Sequence, residues 1–223
     1  GGKIMGPYAE PNQTITITSV GTIPVPNPAY DGIGVTAATQ KTILRDFGFG
    51  IQTAASTVTV NAPDGVVQMP IVSWSENTIV ATVPEALEGI TGQLLVNRGD
   101  TNKTSPVGIS LTVGIAGSAV VPILVSKNPA DGPDFSSIQA AIDAAADGDL
   151  IMVAPGIYEE MVIMYKAVKL QGFGSAATVI NAINAPVSKL QNWRNKIDSL
   201  YFTSGAFDLL PGQAANPLPL WHQ

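Results

Sequence analysis

The chain contains no cysteine among its 223 residues, which excludes disulfides and thiolate metal sites. Its single histidine, His222, stands next to the end, so a histidine-based zinc site is also excluded. Charge is scarce: charged residues make up 13%, with 11 Lys and Arg against 17 Asp and Glu, a formal net charge of -6. Nucleic-acid binding requires clusters of Lys and Arg to neutralise phosphates, and none is present. No apolar run approaches the roughly 18 residues of a membrane-crossing helix, so no membrane span is expected. The opening GGKIMG is not a signal peptide and reads as a processed or excised N-terminus.

What is there points to β structure. Apolar residues make up 45%, with 22 glycines and 17 prolines. That supports a real core in one large domain or two ordinary ones. The composition fits a β-rich secreted protein, and the missing cysteine fits a bacterial extracellular or cell-surface location.

From residue 12 to 113 the chain reads as period-two strands between turn signals. The segments are TITITSV (14–20), KTILRDF (41–47), STVTVNA (56–62), QMPIVSW (68–74), NTIVATV (77–83), GQLLVNR (92–98) and VGISLTV (107–113). About seven such strands in one stretch favour an antiparallel sandwich. APDG (62–65) and SEN (75–77) supply turn residues. ILRDFGFG (43–50), PIVSWSENTIVATVP (70–84) and GQLLVNRGD (92–100) together resemble an IPT/TIG domain, an immunoglobulin-like fold. Phe47, Gly48, Phe49 and Gly50 match its corner, and Trp74, Ile79, Val83 and Pro84 match its middle. A long loop, 21–40, departs from that family.

Residues 1–11 read as an extension, 12–113 as the sandwich, 114–122 (GIAGSAVVP) as a linker, and 123–223 as a second region. In that region Ile138, Ala141, Ile142 and Ala145 recur at helical spacing. Asp134 or Ser136 is the expected N-cap of a helix over about 136–146, ended by Gly148. Short strands follow at LIMVAP (150–155), EMVIMY (160–165), VKLQGF (168–173) and TVINA (178–182). This spacing suits a winding chain with parallel strands, the alanine-rich helix serving as a lid on its open end.

Residues 132–182 are similar to the N-terminal start of pectate-lyase-like and pectin-methylesterase-like right-handed parallel β-helix proteins. Phe135, Ile138, Gln139, Ala141, Ile142, Asp147, Gly148, Pro155, Gly156, Tyr158, Glu160, Gly172 and Gly174 carry the resemblance. Leu190, Trp193, Ile197 and Leu200 then mark a helical insertion over about 186–203. The expected fold is therefore mainly all-β: an Ig-like sandwich, then the first coils of a β-helix with a capping helix and a helical insertion. A single coil cannot bury its interior. The remainder of a longer chain or a neighbouring subunit is thus the expected partner at the open end, with polysaccharide a further candidate.

Catalytic residues in such β-helix enzymes lie, as the resemblance implies, further along the stack, and no catalytic set is found here. Glu159 and Glu160 are adjacent on an expected strand, point to opposite faces and read as structural. Asp147 and Asp149 read as turn residues; calcium is a weak alternative, and no cofactor or metal ligand is assigned. Residues 128–134 (NPADGPD) lack calcium-loop spacing and read as a loop.

Arg98 and Asp100, in an Arg-Gly-Asp tripeptide at an expected hairpin tip, are the candidate binding residues, although tips select these residue types for geometry alone. Asn12 and Asn102 stand in N-x-T sequons. Trp74 and Trp193 read as packing residues and Trp221 as a contact for further sequence. The leading function is a non-catalytic N-terminal portion of a surface protein, structural, adhesive or glycan-binding. The alternatives are part of a polysaccharide lyase or esterase with its site beyond residue 223, and a filament or sheath subunit joined through open β edges.

Overall fold

The computed structural model describes residues 6–32, 40–118, 121–175, 177–183 and 185–202. Trp221 and His222 lie outside them. The fold is mainly β with few helices. The chain divides into two compact units, one ending at Val121 and one continuing from Pro122.

The first unit holds β1 (Tyr8–Ala9), β2 (Thr14–Thr18), β3 (Thr22–Pro26), β4 (Thr42–Asp46), β5 (Thr57–Ala62), β6 (Gly65–Met69), β7 (Ile71–Trp74), β8 (Thr78–Thr82), β9 (Thr91–Arg98), β10 (Lys103–Thr104) and β11 (Ile109–Val113). One sheet runs β1-β11-β9-β5-β6, with β10 also on β9, and a second runs β2-β8-β7. Alternation sets which side chains are inside. Val58 and Val60 of β5, Ile79 and Ala81 of β8, Leu94 and Val96 of β9, and Leu111 and Val113 of β11 form one core. Ile15, Ile17, Ile71 and Trp74 pack against it. Residues of both sheets therefore share a single interior.

Three expectations change here. QMPIVSW is not one strand: the chain leaves the first sheet after Met69 and joins the second at Ile71, with Pro70 between. Proline lacks an N–H for the ladder, so the break falls there. The expected extension supplies β1, which pairs parallel with β11. The expected 21–40 loop contains β3, antiparallel to β4. Asn27 donates to the Lys41 carbonyl and Phe47 to the Gly21 carbonyl. Odd-numbered residues of β3 thus face β4, which puts Pro24 and Pro26 on the outer edge, where no donor is required.

The second unit holds β12 (Ile123–Val125), α1 (Ile138–Ala144), β13 (Leu150–Val153), β14 (Gly156–Tyr158), β15 (Lys169–Gly172), β16 (Thr178–Ile180) and α2 (Val187–Phe202). Among the described residues all its ladders are parallel. Ile151 of β13 aligns with Ile123 on one side and Leu170 on the other, and Val153 aligns with Val125 and Gly172. Tyr158 of β14 aligns with Ile180 of β16. β13–β14 and β15–β16 are therefore two successive windings, each giving one strand to each of two ladders. Ile138, Ala141 and Ile142 of α1 are fully buried with Val125, Ile151, Val153 and Tyr158.

The helix is shorter than expected. Ser137, not Asp134 or Ser136, is its N-cap, and it closes before Ala145. Asp134 instead accepts from the Leu124 N–H at 2.7 Å. EMVIMY is not a strand; its place is explained by the helix it borders.

Candidate functional site

Residues 159–166 run along α1 and clasp it. At its N-terminus, the Glu160 carboxylate accepts from Ile138 N–H at 3.1 Å, Gln139 N–H at 3.1 Å and the Ser137 hydroxyl at 2.9 Å. The Ser137 hydroxyl oxygen in turn accepts from Ala140 N–H at 3.4 Å. The orphan donors of the first turn are thereby satisfied. Midway, Gln139 donates its carboxamide to the Ile163 carbonyl at 3.3 Å and accepts from the Ile163 N–H at 2.8 Å. This pairs the segment with a helix side chain, as a neighbouring strand otherwise would. At the C-terminal end, Lys166 donates to the Asp143 and Ala145 carbonyls, the second at 2.7 Å. Acid at the helix start and base at its end also match its dipole.

Beside this clasp, Trp193, Asn192, Lys189 and Lys196 of α2 complete a groove of about 340 Å³. Its floor includes Gln139, Glu160, Met161 and Ile163. Lys189 donates to the Glu159 carbonyl at 3.1 Å and pairs with its carboxylate at 3.5 Å. Lys196 pairs with Asp143 at 2.9 Å and lies 5.2 Å from the Tyr165 ring centroid. Burial pushes the Asp143 carboxyl up. Hydrogen bonds from Lys196, Gln139 and Tyr165, with the Lys196 charge, outweigh that and hold it below the usual aspartate value. For Lys196, burial pulls down, while the Asp143 hydrogen bond and charge raise it above the usual lysine value.

The carboxylates are thus engaged in caps and ion pairs. What faces the groove is an indole, an amide and a rim of mixed charge, a surface suited to holding a ligand by stacking and hydrogen bonds. Among the described residues, no group of three or more His, Cys, Asp or Glu could hold a metal ion.

The sequence candidates lie elsewhere. Arg98 and Asp100 form a two-pronged pair at the β9–β10 tip: Nη2 to Oδ2 at 2.8 Å and Nε to Oδ1 at 3.2 Å. The Arg98 Nη1 donates to the Gly48 carbonyl at 2.9 Å. The Arg98 hydrogen bond holds Asp100 below its usual value. A side chain at Gly99 would meet the Ser56 backbone nitrogen at 2.4 Å, so packing calls for glycine at that position. Gly50, at φ +67°, lies against the same pair.

Trp74 donates from its indole to the Gly50 carbonyl at 3.0 Å and meets Phe49 edge-on. Asp147 accepts from Ala167 N–H and Asp149 from Ala146 N–H. Asn128 caps the short 3-10 turn Pro129–Asp131. The groove is not legible in the sequence beyond Trp193 on the apolar stripe of the expected insertion.

No protein-family model matches this chain. It is 37% identical over 86 residues to a protein named "Cell surface glycoprotein" from Methanothermus fervidus. The match covers 38% of this chain and 13% of that protein. The chain therefore spans well under two thirds of that relative. Among the described residues no helix is long and apolar enough to cross a membrane.

Proposed function

We propose that this chain is a non-catalytic, structural segment of a cell-surface protein. Its first unit is an IPT/TIG-type immunoglobulin-like module, and its second opens a right-handed parallel β-helix of the pectate-lyase-like kind. The observation that carries the location is the relative named for the cell surface. The shared core of two sheets, antiparallel apart from the β1–β11 pair, supports the Ig-like reading. Two windings in register support the β-helix reading, with α1 as its lid. Among the described residues, β15 and β16 are the last strands of their ladders. They offer their outer edges to the next winding, from the remainder of a longer chain or from a neighbouring subunit.

Protease treatment of intact source cells tests the location. The expected result is loss of this chain's epitopes while cytoplasmic markers survive; full protection of the chain sinks the surface reading.

A further inference from the structure

The two N-x-T sequons, Asn12-Gln13-Thr14 and Asn102-Lys103-Thr104, have no part in the proposed function. Asn12 and Asn102 are also the two non-glycine residues with positive φ among the described residues, at 65° and 51°. A left-handed turn by itself favours asparagine, but it sets no requirement for threonine two positions later. The surroundings of the two asparagines differ. Asn12 already donates its amide Nδ2 to Glu85 Oε1 at 3.1 Å, and its backbone N–H is held by the Val83 carbonyl at 2.8 Å.

Asn102 lies at the tip joining β9 to β10, in a run of exposed residues from Asp100 to Thr104. Its carboxamide makes no hydrogen bond among the described residues. The tip is held from below by other groups: Arg98 to Asp100 and Gly48, and Thr104 to the Asn97 side chain at 3.1 Å. A bulky substituent on Asn102 therefore displaces no contact and projects into solvent.

We propose that Asn102 is an N-glycosylation acceptor, and the preferred one of the two sequons. The donor class is a saccharide carried on a lipid phosphate or diphosphate. The Asn102 amide nitrogen bonds to the anomeric carbon of the saccharide. The bond from that carbon to the phosphate oxygen breaks, the phosphate leaves with the electron pair, and the amide proton passes to a base of the transferring enzyme. The sequon supplies the recognition chemistry: an amide, a residue other than proline, and a hydroxyl. The inference deepens the cell-surface reading and rests on it, because transfer of this kind acts on exported chains.

The test exports the full chain with an added secretion leader from a host carrying an N-x-T saccharide transferase, so that location is imposed. Site-resolved mass spectrometry then reads each asparagine. The expected result is added saccharide mass at Asn102 in most molecules and at Asn12 in a minority. Asn102→Gln and Thr104→Ala abolish the mass at this site, Thr104→Ser retains it, and thermal unfolding of unmodified Asn102→Gln matches the parent. An unmodified Asn102 beside a modified control sequon in the same chain overturns the proposal. So does modification confined to Asn12. Either failure leaves the surface assignment standing, because protease treatment of source cells reads that separately.

Discussion

The two units solve one problem, fixing the path of short strands, by different means. In the Met5–Val121 unit the ladders are antiparallel apart from the β1–β11 pair, and backbone turns close them. The β7–β8 turn shows this: Ser75 N–H donates to the Thr78 carbonyl at 2.8 Å, and the Ser75 hydroxyl only adds to it. In the unit from Pro122 every ladder among the described residues is parallel, so each strand must be reached by a crossover. There the corners are tied by side chains as well as by backbone bonds such as Gly148 N–H to the Ala167 carbonyl. Asp134 holds Leu124, Asp149 holds Ala146, Asp147 holds Ala167, and Glu160 holds the start of α1. Where hairpins are unavailable, carboxylates aimed at backbone N–H groups supplement the backbone turns at most corners, a device the first unit uses more sparingly, at Gly48 and Ala116.

That contrast can be broken first at the core of the second unit. Ile142→Ala removes a fully buried side chain of α1. The expected loss is about 3 kcal/mol, read as a lower urea midpoint for that unit's transition. Next, Glu160→Ala strips the acceptor from two backbone N–H groups and a hydroxyl. It is expected to cost about 2 kcal/mol, with amide exchange accelerating first at Ile138 and Gln139. The matching deletion in the antiparallel unit, Ser75→Ala, leaves the backbone turn bond in place. Its expected cost is below about 0.5 kcal/mol; equal losses for Ser75→Ala and Glu160→Ala would remove the distinction between the units.

The smallest effect concerns pH. Because Asp143 is depressed in the folded state, its contribution is present above its unfolded value and fades as pH falls through the lower folded one. Acid should therefore loosen α2 at Lys196 in the parent, seen as a change in Trp193 fluorescence. Asp143→Asn should flatten that response.

Much of this was readable in advance, for identifiable reasons. The apolar stripe of α1, the turn residues around Asp64 and Ser75, and the spacing of α2 all express local preferences. EMVIMY was misread because Met161, Val162, Ile163 and Met164 look like strand residues, yet Ile163 spends its backbone groups on the Gln139 side chain. No local pattern announces such a long-range pairing. Pro24 and Pro26 hid β3 because proline argues against a strand until the partner's side is known. The groove stayed hidden because it needs α2 folded back onto residues 159–163, which spacing alone does not specify.

The carboxylate ties carry a consequence for sequence drift. Each acid addresses a backbone N–H, a group every residue but proline possesses. Leu124, Ala146 and Ala167 can therefore change identity without losing their bonds, while Asp134, Asp149 and Asp147 cannot. Divergence at the exposed corners should be one-sided, conserving short acids while Ala146 and Ala167 vary more freely and Leu124 stays apolar because it is buried.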